Sequence, residues 1–383
     1  MIFPSRRATA LAGAALCLAA AGGAVASPAA IAAPSSPAPG WHIARVVSEK
    51  YDADLLTLAA VSKTDAWAFG QNSSGRAAAL RWNGSAWKGA ALPKGLSRPA
   101  YVSATGPDNV WAGGSECIGG PPGPDVFEAY VTRWNGHRWR TSRWKTAAYC
   151  GAAMVTTGPR NGWLIGDEQA LHFTGRSWQK VSLGNVGQAQ SAVAVSADNI
   201  WVFTERYNEQ HPARSKTFFL HWNGQRWDTV RLPALTLPKG GSIYPLDMAQ
   251  AGPRSIWAIA NVTPGNSIPL LLHYNGSAWR SVRVPYPGQQ LLAVTPDGRG
   301  GVWATMMGSL SGNYSIVHYL GGKWTSQPVP TAGLPGLTGN PGFDLYAISL
   351  VPGTRDVLAT GDTFYSTPTN ANVSYSLIFS YSS

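Results

Sequence analysis

Charged side chains are scarce in this chain. Asp, Glu, Lys and Arg make up 13% of its 383 residues, and 19 acidic residues stand against 30 basic ones. The Lys and Arg residues are scattered and form no stripe, which argues against a nucleic-acid backbone as partner. Cysteine is almost as rare, with three in all. Neither Cys117 nor Cys150 has further ligands at metal-site spacing nearby, which argues against zinc. No glycine-rich phosphate cradle joins a strand to a helix, and no G-x-S-x-G elbow is present. These absences weigh against an enzyme, and no cofactor is expected. Beyond the N-terminal segment, no apolar stretch is long enough to cross a bilayer.

That segment has its own pattern. Arg6 and Arg7 precede an Ala/Leu-rich core, which ends in Ala24-Val25-Ala26 before Ser27. A charged start, an apolar centre and a small-residue cleavage site predict a secretory signal over residues 1–26, with a second cleavage position after Ala33. Residues 27–39 are rich in Ala, Pro and Ser and predict a disordered tether. Removing Arg6 and Arg7 takes the formal charge from +11 to +9. Mild basicity suggests cell-envelope polyanions or acidic glycans as partners. In an exported protein the two remaining cysteines, Cys117 and Cys150, predict a disulfide.

What the chain has in abundance is tryptophan, 17 in all. A turn followed by Trp recurs at Asn83–Trp87, Asn135–Trp139, Thr174–Trp178, Asn223–Trp227, Asn275–Trp279 and Leu320–Trp324, with a reduced copy at Gly40-Trp41. Each copy closes a set of four short apolar or alternating runs, a to d, each bounded by turn residues. That pattern predicts four-stranded meanders. The last set stops after strand c, at Ser374–Tyr381, whereas Gly40–Val47 is a strand d without a set. The surplus piece fits the missing one. The prediction is therefore an all-β chain over residues 40–383: a seven-bladed β-propeller of four-stranded antiparallel blades, its ring closed by the N-terminal strand pairing in the C-terminal blade. Recurrent Trp on strands b, c and d reads as wedge packing between blades, and only Trp144 falls outside that pattern.

Antiparallel strands reverse at each step, so the a–b and c–d turns share one face of the ring. They are short and uniform. The b–c and d–a connections, long and varied, share the other face, where recognition is expected. Cys117 and Cys150 fall on that face. So does Trp144, and so do Arg206 and Tyr207 on the Glu205–Lys216 connection; these three are candidate ligand contacts. Asp54, Asp247 and Asp344 stand just before or at the start of innermost strands, near the channel mouth. Paired carboxylates there could act as acid and base on a glycoside or hold Ca²⁺. Glu128 and Glu205 are expected to be solvated on the loops. His172, His221, His273 and His318 each precede the aromatic of a strand c, where Arg81 and Arg133 fill the slot in the first two blades. A residue that recurs around a ring cannot converge on one site, so its expected task is to hydrogen-bond a turn or backbone group between sheets.

The frame S/T-G-P-D-N-V-W-A…L-R/H-W-N-G-x-x-W, seen at Thr105–Gly113 with Thr132–Trp139 and at Ser196–Val202 with Leu220–Trp227, resembles repeats of secreted actinobacterial propeller proteins. More loosely, it is similar to kelch and tectonin-like propellers. It lacks the regular Gly-Gly pair of kelch repeats, and Asp108 and Asp198 sit between a and b rather than between c and d as in the sialidase Asp-box. The resemblance implies the fold and carries over no catalytic residue. The expected function is that of a secreted, monomeric, non-enzymatic scaffold. Its b–c/d–a loop face would recognise an extracellular glycan, envelope polymer or protein. The alternative is a carbohydrate-active hydrolase or lyase with carboxylates at the channel mouth.

Overall fold

A computed structural model of the chain describes residues 39–47, 54–117, 127–146, 153–166, 169–208, 210–211, 214–263, 268–308, 313–368 and 373–382. The expected signal and all of the tether except Pro39 lie outside the described residues, as do Cys150 and the side chain of Cys117. The predicted disulfide therefore lies outside them too.

Seven antiparallel four-stranded sheets follow one another along the chain. Blade 1 is β2 to β5 (Asp54–Ser62, Asp65–Gln71, Ala77–Trp82, Trp87–Gly89). Blade 2 is β6 to β9 (Tyr101–Gly106, Asn109–Cys117, Phe127–Trp134, Trp139–Thr146). Blade 3 is β10 to β13 (Ala153–Gly158, Asn161–Ile165, Gln169–Phe173, Trp178–Ser182). Blade 4 is β14 to β17 (Gln188–Ser196, Asn199–Arg206, Lys216–Trp222, Trp227–Arg231). Blade 5 is β18 to β21 (Ser242–Gly252, Ser255–Thr263, Ile268–Tyr274, Trp279–Val282). Blade 6 is β22 to β25 (Gln290–Pro296, Val302–Met307, Tyr314–Leu320, Lys323–Pro328). Blade 7 is β26 to β28 (Thr338–Leu350, Val357–Ser366, Val373–Ser382), completed by β1 (Gly40–Val47). The register of that closure runs from Gly40 opposite Ser382 to Val47 opposite Ser376. It hides two strand edges that would otherwise be open to pairing with other chains.

The tryptophans build the seams. The strand-b indoles Trp67, Trp111, Trp163, Trp201, Trp257 and Trp303 are at most 4% exposed. Onto five of them the strand-d indole of an adjacent blade stands edge-on: Trp139 on Trp67, Trp178 on Trp111, Trp227 on Trp163, Trp279 on Trp201 and Trp41 on Trp303. Centroid separations of 5.4–5.7 Å at 65–87° suit the positive ring edge meeting the negative ring face. In blade 7, which has no strand-b Trp, Leu358 stands where the indole would be, and it packs in the cluster of Trp87.

The recurrent strand-c slot proves to be a cap on these indoles. His172, His221, His273 and His318 stack on the strand-b Trp of their own blade at 3.9–4.3 Å. Each Nε2 reaches a side chain at the a–b turn: Asn161 Oδ1, Asn199 Oδ1, Ser255 Oγ and Asp297 Oδ2. Arg81 does the same over Trp67 while paired with Asp65 at 2.8 Å. The expected hydrogen bond to a turn is present, but it lies within one sheet rather than between sheets. The stacking that fixes it depends on cross-strand register, with Trp163 opposite His172 and Trp201 opposite His221.

Innermost strands are sheet edges, and their N–H groups need acceptors. Ser349 Oγ accepts from Ala60, Ser103 from Thr156, Ser191 from Met248, and Thr295 Oγ1 from Leu350. Each of these bonds staples one blade to the next. The inner strands enclose a central channel of about 860 Å³.

Candidate functional site

The two faces of the ring differ as the strand polarity requires. Five a–b turns contain only two residues, such as Pro107-Asp108 and Ala197-Asp198, whereas connections on the other face run from three residues (166–168) to eleven (90–100). That loop-rich rim is where the strands a begin and the strands b end.

One structural layer defines the rim. In five blades a β-bulge interrupts strand a, at Leu56, Gln190, Leu246, Leu292 and Tyr346, and all five bulged residues line the channel. A bulge turns a side chain out of the regular alternation. Two residues before each bulge, in register with strand b, stand the pairs Asp54–Gln71, Gln188–Glu205, Tyr244–Asn261, Gln290–Met307 and Asp344–Asp362. These pairs form a mostly polar collar at the mouth.

Asp54 and Asp344 therefore lie where the sequence placed them, at the mouth. Asp54 accepts from Gln71 Nε2 at 2.9 Å. Asp362 takes the hydroxyl hydrogens of Tyr346 and Ser376. Burial pushes Asp362 up to about 6; the Ser376 and Tyr346 hydrogen bonds pull it down, and the charges of Asp54 and Asp344 push it up again. The phenols of Tyr314 and Tyr346 are also raised, first by burial and then by these carboxylates.

Asp247 does not join them. It follows the Leu246 bulge directly, opposite Ile259, whereas Asp54 and Asp344 stand two residues before theirs, so Asp247 sits further down the channel wall. Its Oδ1 accepts from Ser191 Oγ (3.0 Å) and from the Met248 N–H (2.8 Å), and its Oδ2 accepts from the Val294 N–H (3.0 Å). The residue is part-exposed along the channel, yet its carboxyl group is enclosed by protein. Burial raises its pKa, against the opposing hydrogen bonds of Val294, Met248 and Ser191. It is the blade-5 member of the staple ring, and this corrects its placement at the mouth.

Trp144 lies in β9 rather than beyond it, opposite Ala129 and edge-on to Trp178 at 5.0 Å, half-buried in the seam between blades 2 and 3. Arg206 ends β15, its guanidinium 5.9 Å from the Phe218 ring, and Tyr207 follows it with 59% exposure.

From the sequence, Glu205 is expected on a loop and Asp362 is not singled out; both are strand residues, because β15 and β27 continue past the point where their apolar runs stop. Glu205 is not solvated but 5% exposed, and burial raises it to about 7. The available signal was register: both stand opposite the collar positions of strand a. Among the described residues, the large hydrophobic side chains that remain exposed are Tyr207, Tyr244, Ile268, Tyr346 and Phe364. Tyr346 is a channel bulge, and the other four stand at strand ends of the loop-rich rim.

No helix among the described residues is long and apolar enough to cross a membrane. No family model matches the sequence, and no curated protein matches it. Solved structures do match in shape. YCF48 bound to D1 peptide aligns over 90% of this chain and 97% of its own, with a TM-score of 0.53 at 14% identity. YCF48 from Cyanidioschyzon merolae aligns over 90% and 99%, with a TM-score of 0.53 at 17% identity. The β-propeller domain of the Trilobed protease from Pyrococcus furiosus, which has an open velcro topology, aligns over 85% and 95%, with a TM-score of 0.50 at 9% identity. At these identities the likeness is one of fold, and the fold it supports is the β-propeller.

Proposed function

We propose that this chain is an exported, non-enzymatic binding propeller whose b–c/d–a rim recognises an extracellular glycan, an envelope polymer or a protein. The observation that carries this reading is the one-sided placement of exposed aromatic and apolar side chains: Tyr207, Tyr244, Ile268 and Phe364 all lie within two residues of a strand end on the loop-rich rim. Aromatic side chains left in water at one face of a rigid scaffold favour contact with a partner. The N-terminal signal pattern and the mild basicity support an extracellular setting. The hydrolase or lyase alternative drew on Asp54, Asp247 and Asp344; the staple role of Asp247 takes away one of the three, and binding stands ahead of it.

The test compares two variants of the full chain in pull-downs from envelope fractions, culture supernatant and a glycan array. Tyr207→Ala with Phe364→Ala alters the loop-rich rim, and Arg226→Ala with Asp228→Ala alters the opposite one. Loss of binding only with the first pair supports the reading. Loss only with the second pair assigns recognition to the short-turn face and defeats it.

A further inference from the structure

We propose that Glu205, Tyr244 and Tyr207, at the seam of blades 4 and 5, form a subsite for one neutral, hydroxyl-rich sugar residue. The inference rests on the rim-binding reading above and names the ligand class within it.

Its basis is a carboxyl group without a partner. Glu205 is 5% exposed, and among the described residues no group hydrogen-bonds its side chain. Buried polar groups are rarely left so. The equivalent collar positions of other blades show the contrast. Gln71 donates to Asp54. Asn261 clasps the backbone of Leu291 in both directions, donating to its carbonyl and accepting its N–H. Asp362 receives two hydroxyls. In blade 4 the strand-c neighbour is committed elsewhere: Thr217, opposite Glu205, donates its hydroxyl to the Ile243 carbonyl. The oxygens of Glu205 are nevertheless not among the unpaired atoms sealed from solvent, so the carboxyl keeps a solvent contact at the rim.

What surrounds the carboxyl selects the ligand. Tyr244, close enough for the Glu205 charge to raise its phenol pKa, is 42% exposed. Tyr207, two residues along from Glu205, is 59% exposed. An aromatic face beside a hydrogen-bond acceptor matches a pyranose, which offers a C–H face for stacking and adjacent hydroxyls as donors. Arg206 and Lys216 stand opposite one another at the end of the same ladder, so a basic side chain entering here would meet like charge. An acidic ligand would meet Glu205 itself. A neutral, hydroxylated ligand meets neither obstacle.

The experiment uses the full chain and a panel of neutral di- to tetrasaccharides of glucose, mannose, galactose and N-acetylglucosamine, screened on an array and then titrated by calorimetry. Wild type is expected to bind at least one of them. Glu205→Ala and Tyr244→Ala should each weaken that binding about tenfold or more, whereas Tyr244→Phe, which keeps the ring, should retain most of it. Asp362→Asn, on the far side of the collar, should leave it unchanged. Circular dichroism and melting curves confirm that each variant is folded, and Glu205→Gln, nearly isosteric, serves if the alanine variant is not. No saccharide binding by wild type, or binding indifferent to Glu205 and Tyr244, overturns the subsite. If envelope or protein binding is still lost with Tyr207→Ala and Phe364→Ala, the rim reading survives that failure; if it is not, both fall.

Discussion

The Oδ2 of Asp247 accepts the backbone N–H of Val294 at 3.0 Å, so a carboxylate on the inner strand of blade 5 holds the inner strand of blade 6. In other blades a Ser or Thr hydroxyl does this work, as Ser349 does for Ala60 and Thr295 for Leu350. Asp247 belongs to a ring of staples, and its acidity is incidental to that task.

Removing the staple leaves the Val294 N–H without its acceptor, while the Met248 N–H keeps Ser191 Oγ. Asp247→Ala should cost about 1–3 kcal/mol of stability, the usual penalty for an orphaned buried donor. Asp247→Ser, which restores the hydroxyl used in other blades, should recover part of it. Thermal melts of the two variants decide: equal and unchanged melting points would show that these bonds contribute nothing net.

The c–d turns rest on the a–b turns, and glycine makes the contact feasible. Gly136 has φ +87°, and a Cβ there would stand 2.2 Å from Asp108 Oδ1. Gly136→Ala combines left-handed strain of about 1–2 kcal/mol with that clash. It should therefore be clearly less stable than Gly89→Ala, where no atom lies within 4 Å of the added carbon. Denaturant midpoints of the two variants compare them directly.

Closure by β1 rests partly on Trp41, which stands edge-on to Trp303 at 5.6 Å and against Tyr381 at 5.6 Å. Truncating a buried Trp to Ala costs about 3–5 kcal/mol, and half-buried Trp41 should fall at or below the lower end. Trp41→Ala should also speed hydrogen exchange in Val373–Ser382, which loses its edge partner. Uniform exchange changes across all blades would contradict a local latch.

Acidity acts on the rim and on the Trp caps in opposite directions. Folding raises Glu205 to about 7 and Asp362 to about 6, so the fold prefers their protonated forms. Their stabilising contribution is full below the unfolded values of about 4 and is lost as pH rises through those folded values. Burial lowers His172, His221 and His273, so the contribution of these residues is present above about pH 6.5 and is lost as pH falls through their folded values. Glu205→Gln isolates one arm. It should match wild type near pH 5 and exceed it at pH 8 by on the order of 1–3 kcal/mol. A stability difference that does not change with pH in urea titrations would contradict the burial of this carboxyl.

The architecture was legible because it is periodic. Seven copies of a turn followed by Trp, with a spare strand at one end and a gap at the other, point to a ring in which the spare strand fills the gap. The histidine slot could be recognised as structural for the same reason, since a residue type repeated around a ring cannot gather at a point. Chemistry at the mouth was less legible. Asp54, Asp247 and Asp344 look alike as residues near the start of inner strands, but β18 begins at Ser242 and β26 at Thr338, upstream of their apolar cores. Position relative to the bulge separates them: Asp54 and Asp344 come two residues before it and stay at the collar, whereas Asp247 comes one residue after it and lies down the wall.

Local sequence thus determined the blades, their order and the latch, because alternation, turn composition and Trp spacing act over a few residues. Which side chains share the rim was decided by tertiary structure alone. Glu205 and Tyr244 are 39 positions apart and belong to different blades; they meet only because strand b of one sheet ends beside the start of strand a in the next. Bulges and cross-blade hydrogen bonds set that meeting, and both depend on partners that no local pattern names.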